Sequence, residues 1–393
     1  MHYELSDEQG QLKDSLDRFF VSANDFAART RALRSEQGWR PELWRALAQD
    51  LGVLGVGLPD SAGGFGGGLE QLVVMEAAGR SLLAEPLAET LFQAAPLLAK
   101  SDSVMARELV AGVIVGTVRL AVAIGEAGLR DDLTAIAMPA VRSGDGWALT
   151  GDRLIVVAAP WATHLIVAAR TSGVAGSGDG LSLFIVPASA PGLTMSPYRM
   201  LDERMAADLN FENVQLSADA LVGSEGQGLA MVEEWRDRAI AAATAEAGGL
   251  LGRLVEDTVA YAKQREQFGV AIGSFQALQH RMVDMHLQLE LVRSAAMLVC
   301  QSLGASASAR ARAASAAKLT LAKACRFIGQ NAVQIHGGMG MTDELPIGHY
   351  FKRATVIEHS FGSTDWHAAR LARLTGTAHE TCARVGVDKG VAC

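Results

Sequence analysis

The stretch Gln334-Ile335-His336-Gly337-Gly338-Met339-Gly340-Met341-Thr342 closes an alanine-rich helical run from Ala309 to Val333 and sets three glycines within four residues. Glycines after a helix let the backbone take φ > 0 and approach a large group with no Cβ in the way. Gln334, on the last helical turn, carries an amide that both donates and accepts. A helix end, a bare turn and an amide together can hold a pyrophosphate or the edge of a nucleotide. The plainer reading of the stretch alone is a glycine cap followed by a loop.

Outward from this turn the chain is helical in both directions. Leu278, Met282, Met285, Leu289, Val292, Ala296 and Val299 step by four and three and form a heptad-like seam, with the methionines read as core filler. Ala247, Leu250, Leu254, Thr258 and Tyr261 form a second stripe. With a run from Ala309 to Val333 and another from Thr364 to Leu374, the pattern predicts four long antiparallel helices in a bundle from Gly228 onward. Between the first two sits Gln264-Arg265-Glu266-Gln267-Phe268-Gly269, then Ile272-Gly273-Ser274-Phe275-Gln276. Arg265 at a helix end can simply complement the dipole. Beside it, however, lie an aromatic ring, two glycines and Gln276 reopening a helix, with Ser274 expected as its N-cap. An arginine fork, an aromatic face and a helix N-terminus suit a nucleotide diphosphate.

Before the bundle the period changes. Leu120–Ile124, His164–Ala169, Leu181–Val186, Asp208–Val214 and Leu221–Gly223 read as short strands, and Trp147–Val157 as a hairpin, which predicts a β sandwich or barrel. Residues before it read as helical. Ser6-Asp7-Glu8-Gln9 is a capping box ahead of the stripe Leu12, Leu16, Phe19 and Phe20. Pro41 starts a second helix, and a third is expected from Leu69 to about Lys100. The glycine-rich loop from Pro59 to Gly68 lacks the Lys-Ser/Thr ending of a phosphate-binding loop and reads as an inter-helix connection. The fold class is therefore mostly α with a β domain, divided as 1–116 helical, 117–227 β and 228–393 helical bundle.

Composition narrows the function. The 393 residues are 49% hydrophobic and 20% charged, with a net charge of −8, so no broad basic surface invites nucleic acid or anionic lipid. Four cysteines (Cys300, Cys325, Cys382, Cys393) show no CxxC spacing, which points to buried thiols in a reducing cytoplasm rather than disulfides. No signal peptide or membrane-spanning run is visible. No metal-ligand cluster and no Ser-His-Asp or Cys-His pattern is present, and His336 and His280 read as structural.

The combination Arg265-Glu266-Gln267-Phe268-Gly269, Phe275-Gln276 and Gln334-Ile335-His336-Gly337-Gly338-Met339-Gly340 resembles the acyl-CoA dehydrogenase family. The opening Leu5-Ser6-Asp7-Glu8-Gln9, the Gly63-Gly64-Phe65-Gly66 loop and Gly223…Gly226-Gln227-Gly228 follow in family order, and the similarity spans essentially the whole chain. Within the family the chain is most similar to small subunits of two-component enzymes acting on pimeloyl-CoA and related acyl-CoA or steroid side-chain thioesters. The resemblance implies FAD, α,β-desaturation of an acyl-CoA in fatty acid or steroid side-chain catabolism, and an electron-transfer flavoprotein or similar acceptor. It further implies a homo- or hetero-tetramer in which Arg265, Phe268, Gln276, Gln334, Gly337 and Gly338 meet the FAD diphosphate and adenosine across a subunit interface.

Departures from the family pattern carry as much information. The turn that usually holds a catalytic Glu reads Ser360-Phe361-Gly362-Ser363-Thr364, with Phe361 in the base's place. The family's alternative slot, at the start of the first long helix, falls on Ala239. Asp237 and Asp365 are the nearest carboxylates, and each also reads as a helix-start acid near the positive dipole end. The catalytic residue is therefore left unassigned. On the flavin side the family's Trp-Ile-Thr/Ser segment corresponds to Ile155-Val156-Val157-Ala158, and its Thr-Glu pair to Ile124-Gly125-Glu126. The loop Ala127–Asp132 lacks the usual Gly-Ser-Asp ending. The resemblance thus implies a subunit that holds a flavin's tail better than its ring. A FAD-holding partner subunit without chemistry, and a flavin monooxygenase or nitroalkane oxidase on the same fold, are the alternatives.

Overall fold

The expected capping box opens α1 (Asp7–Ala23): Ser6 Oγ accepts from the Gln9 amide, and the Gln9 side chain accepts from the Ser6 amide. In this computed structural model residues 5–389 are described, with side chains described through residue 376. The sequence pattern does not single out α2 (Phe26–Arg34), whose inward face carries Arg29 beside Leu33; Nε of the guanidinium donates to the Leu82 carbonyl, while Nη1 is buried without a partner among the described residues. α3 (Pro41–Gln49) begins at Pro41 as expected. The single helix expected from Leu69 to Lys100 is instead broken. α4 (Gly68–Arg80) ends at Ser81, Leu82 turns with φ 54°, and the chain re-enters as a π-helical stretch, Ala88–Ala94, leading into α5 (Ala95–Leu98). Pro86, which has no amide hydrogen to donate, cannot continue α4. α6 (Val104–Ile114) follows. The glycine-rich loop is a packed connection: a Cβ on Gly64 would stand 2.3 Å from the Leu58 carbonyl oxygen, and one on Gly68 2.0 Å from that of Cys300.

Eight strands come next: β1 (Leu120–Ala123), β2 (Ala140–Ser143), β3 (Gly146–Val157), β4 (His164–Arg170), β5 (Leu181–Pro187), β6 (Leu193–Arg199), β7 (Met205–Leu216) and β8 (Leu221–Val222). They form two four-stranded sheets, ordered β1-β4-β5-β8 and β2-β3-β7-β6, with Trp147, Phe184 and Phe211 in the core between them. The hairpin expected within Trp147–Val157 is one long strand. Gly151, at φ 139°, absorbs a register shift against β7 instead of turning the chain back. A second shift between Arg153 and Val156 leaves Ile155 out of register at φ 55°, a conformation a β-branched residue rarely adopts.

The remainder is helical: α7 (Leu229–Gln264), a hairpin of β9 (Glu266–Gln267) and β10 (Val270–Ala271), α8 (Gln276–Gln301), α9 (Ala307–His336), α10 (Pro346–His359) and α11 (Thr364–Lys389). The four long helices expected are α7, α8, α9 and α11, the last running well past Leu374; α10 is an addition to that set. Cys300 and Cys325 are buried free thiols, and burial pushes each up to about 12. The Cys382 side chain and Cys393 lie outside the described residues.

α7 is buried without interruption from Ala239 to Gly252. Its approach to α4 depends on glycine from both sides: a Cβ on Gly79 would stand 1.9 Å from the Glu246 carbonyl oxygen, and one on Gly249 1.8 Å from that of Glu76. Gly249→Ala therefore has to separate two backbones. A loss of about 1–3 kcal/mol is expected, measured as a lower urea midpoint at unchanged slope.

Candidate functional site

A cavity of about 530 Å³ opens where the N-terminal helices, both sheets and the bundle meet. Its walls come from the π-helical stretch (Glu89, Gln93), the β1 end and following loop (Ile124–Glu126, Leu129), β3 (Leu154–Val157), α7 (Trp235) and the α10 end with its turn (Val356, His359–Phe361). A recess of about 40 Å³ continues from it past Ala239, Ala243, Glu246 and Arg353. Both positions where the family resemblance places a base, Phe361 and Ala239, line this recess, and neither holds a titratable atom. Phe361 sits at φ 62° with its ring edge-on to Trp235, centroids 5.8 Å apart. Asp237 is turned away into a buried ion pair with Arg370 at 2.7 Å and Arg310 at 3.5 Å. Asp365 is exposed and lines neither space.

Distant side chains hold the turn at Phe361. Buried Lys318 donates to the carbonyls of Ile357 and Glu358, a cation on the last turn of α10, and burial pushes its ammonium down to about 8. His367 Nε2 bonds the Phe361 carbonyl at 2.9 Å while Nδ1 meets Ser315 Oγ at 3.2 Å. Ser363 donates its hydroxyl to Asp131 at 2.7 Å, which ties the turn to the loop after β1. On the β3 wall, Glu126 is occupied: it pairs with buried Arg153 and accepts from the Ala137 and Met138 amides. Ile155, Val156 and Val157 present no hydroxyl or aromatic group there.

The six residues assigned from the sequence lie elsewhere, at the end of the bundle where α7 and α9 finish and α8 begins. Arg265 caps α7, Gln276 opens α8, Gln334 stands on the last turn of α9, and Gly337 follows it at φ 60°. Tyr261 ties the halves together, stacking on His336 with centroids 4.3 Å apart. All six are exposed, and the side chains of Arg265, Gln276 and Gln334 make no hydrogen bond or ion pair among the described residues. Phe268 and Gly269 both take φ > 0, the geometry of a two-residue type I′ hairpin turn, and Phe268 is 93% exposed. An aromatic residue in that conformation is strained, and strain of this kind concentrates at functional sites. Ser274 is not the α8 cap: its hydroxyl donates to the Ala271 carbonyl within a preceding 3₁₀ turn, Phe275 occupies the cap position, and no side chain caps the helix. A Cβ at Gly337 or Gly338 would meet nothing within 4 Å, so the turn is open to a large group.

Sequence reasoning missed Glu89, Gln93, Glu246, Arg353, Lys318 and His367. A trace of the first two was available, as polar residues four apart within a run from Leu87 to Leu98 that is otherwise apolar except for Thr90.

Three family models match in chain order: the acyl-CoA dehydrogenase N-terminal domain over residues 6–100, the middle domain over 121–214 and the C-terminal domain over 226–375. The chain belongs to the acyl-CoA dehydrogenase family, oxidoreductases that act on the CH–CH bond of acyl-CoA, and it has that family's fold. It is 31% identical over 351 residues to acyl-CoA dehydrogenase IpdE2 of Mycolicibacterium smegmatis, covering 89% of this chain and 93% of that one. A chain of the ChsE4-ChsE5 complex from Mycobacterium tuberculosis superposes with a TM-score of 0.85 at 27% identity, covering 96% of this chain and 99% of that one. PigA, solved in complex with FAD, superposes with a TM-score of 0.87 at 26% identity and the same coverages. FAD is the cofactor of this family. The exposed end of the bundle presents a guanidinium unpaired among the described residues and an uncapped helix start, chemistry that fits an anionic group, whereas Ile155–Val157 of the β3 wall carry no side-chain donors. Among the described residues no helix is long and apolar enough to cross a membrane.

His367 makes the turn sensitive to acid. Burial pushes its imidazole down to about 4, opposed by the bond to the Phe361 carbonyl and reinforced by the charges of Arg236, Arg370 and Lys318. The unfolded chain then binds this proton near the ordinary value of 6.5, before the folded chain does. Its contribution is therefore intact above 6.5 and is lost as pH falls towards 4, on the order of 3 kcal/mol in all. Urea unfolding at about pH 7 and about pH 4.5 should show a smaller acid-side loss in His367→Gln than in the unaltered protein.

Proposed function

We propose that this chain is the small subunit of a heteromeric, FAD-dependent acyl-CoA dehydrogenase. It grips the adenosine diphosphate end of a FAD whose ring lies in a partner chain of the same family. The observation that carries the reading is the contrast between the two ends of α7. At one end Arg265, Phe268, Gln276, Gln334, Gly337 and Gly338 stand exposed and unsatisfied; at the other, both places for a base are apolar.

Bound FAD supplies the hydride acceptor for α,β-desaturation of the thioester. The Arg265 guanidinium offers the diphosphate a forked, permanently charged donor. The uncapped start of α8 adds amide hydrogens and the positive end of a helix dipole. Phe268 offers a face to the adenine, and Gly337 and Gly338 let the α9 end come close to it. Removing the α-proton needs a carboxylate at one of the two positions where the family places its base, and both are apolar here, so the partner provides it. Val283, Leu287, Leu291 and Leu298 form an exposed apolar stripe along α8, on the face away from its buried seam, consistent with assembly into a tetramer. Similarity to a chain of the ChsE4-ChsE5 complex supports the subunit assignment, and an electron-transfer flavoprotein or similar carrier is the expected acceptor of the electrons, in the cytoplasm.

Native mass spectrometry of the complex with its large subunit should count half a FAD per chain, and this chain alone should show little or no dehydrogenation. Robust turnover of an acyl-CoA by this chain alone overturns the proposal. Arg265→Gln should weaken flavin retention by roughly tenfold or more. Phe268→Asn, which relieves the strained turn, should raise the melting temperature while lowering flavin retention, a split that a purely structural role for Phe268 does not produce.

A further inference from the structure

The inner wall of the cavity carries a buried charge cluster. Glu246 accepts from Nε and Nη2 of Arg353, both at 2.7 Å, and Arg353 Nη1 donates to Asp202 at 2.8 Å. Arg204 Nη2 donates to Glu89 Oε2 at 2.8 Å. Three carboxylates against two guanidinium groups leave one negative charge; Arg29 and Glu203, behind the cluster, cancel each other. Glu89 pairs with Arg204, whereas Glu246 and Asp202 share Arg353.

Two side-chain atoms here are left over. Glu89 uses only Oε2, so Oε1 has no hydrogen-bond partner among the described residues. Gln93 accepts from the Trp235 indole at 3.1 Å through Oε1, which leaves both hydrogens of Nε2 unused. Glu89 is 5% exposed and Gln93 7%, yet neither atom is sealed off from solvent-accessible space, and both residues line the cavity and its recess. Four residues apart on one helical segment, they face the same way. The segment is a π-helix, a form that occurs frequently at functional sites. The surrounding wall is apolar, from Val156, Met200, Val356 and Phe361.

We infer that this end of the cavity binds an apolar molecule ending in a hydroxyl group, which donates to Glu89 Oε1 and accepts from Gln93 Nε2. Of hydroxyl, carboxylate, ammonium and methyl ends, the hydroxyl alone answers both atoms. A carboxylate cannot donate and meets the surplus negative charge; an ammonium cannot accept from Gln93; a methyl leaves both atoms desolvated and unpaired, which weakens binding. The hydroxyl belongs either to the far end of an acyl-CoA chain or to a free alcohol. The inference rests on the cavity alone and holds whether or not this chain is a small subunit.

Isothermal titration of the full chain, without flavin or partner, tests it with 8-hydroxyoctanoyl-CoA, octanoyl-CoA, the CoA monoester of octanedioic acid and free 1,8-octanediol. The hydroxyl-ended ester should bind roughly tenfold more tightly than the methyl-ended one, with the carboxylate-ended ester weakest. Gln93→Met should remove most of the hydroxyl advantage, weakening the hydroxyl-ended ester and modestly strengthening octanoyl-CoA, whose methyl end then no longer strands the amide. Diol binding that matches the hydroxy ester identifies a free alcohol as the ligand, and binding of the ester alone identifies an acyl tail. Equal affinity for hydroxyl and methyl ends, preference for the carboxylate, or no binding by any probe overturns the inference. The ranking in the unaltered protein decides this even if the variant fails to fold.

Discussion

Helix α7 can pass through the centre of the molecule only because its middle is nearly bare. Between Ala239 and Gly252 most side chains are alanine or glycine, and the crossing with α4 brings a Cα of each helix against a carbonyl oxygen of the other. Small residues on a helix let a neighbouring backbone approach closely and lengthen the shared contact. Everything else is hung on that contact. It joins the N-terminal helices to the bundle, carries Trp235 to the cavity mouth, and aims Glu246 at Arg353.

The same helix separates two sites of different character. Its first turns border an enclosed space whose walls are locked by long-range bonds from Lys318, His367 and Asp131 to the turn at Phe361. Those bonds, and not the local sequence, keep Phe361 at φ 62°. Its last turn ends in an open surface where the Arg265 side chain has no hydrogen-bond or ion-pair partner among the described residues and Phe268 meets the Phe275 ring edge-on. A cation and a strained aromatic on the outside, with an apolar residue at the base's position, are the features on which the proposed small-subunit role rests.

The buried charges pose a separate question of energy. Two ions taken from water cost several kcal/mol each, and a buried pair returns that only with good geometry. Burial alone would lower the affinity of the Arg353 guanidinium for its proton, but Glu246, Asp202 and Glu89 together raise it instead, so the group stays charged. The cluster is better explained by what it recognises than by what it stabilises.

Local rules made much of the fold legible. The Ser6–Gln9 box, Pro41 as a helix start, the stepped seam on α8 and the glycine turn after α9 each depend on residues within a few positions of one another. So does the exposed segment Arg265–Gly269, a two-strand hairpin beside a helix end. What local rules misread were the places where a distant neighbour overrode them: the π-helical stretch after Pro86, α10, and the strand through Gly151 that was expected to turn back. The sequence by itself determined the helical–β–helical order and the chemistry of the exposed bundle end, because periodicity, caps and turn residues act over one or two turns of chain. Only the tertiary structure decided which charges share the cavity. Glu89 meets Arg204 across 115 positions and Glu246 meets Arg353 across 107, and no short-range pattern encodes a contact made by packing.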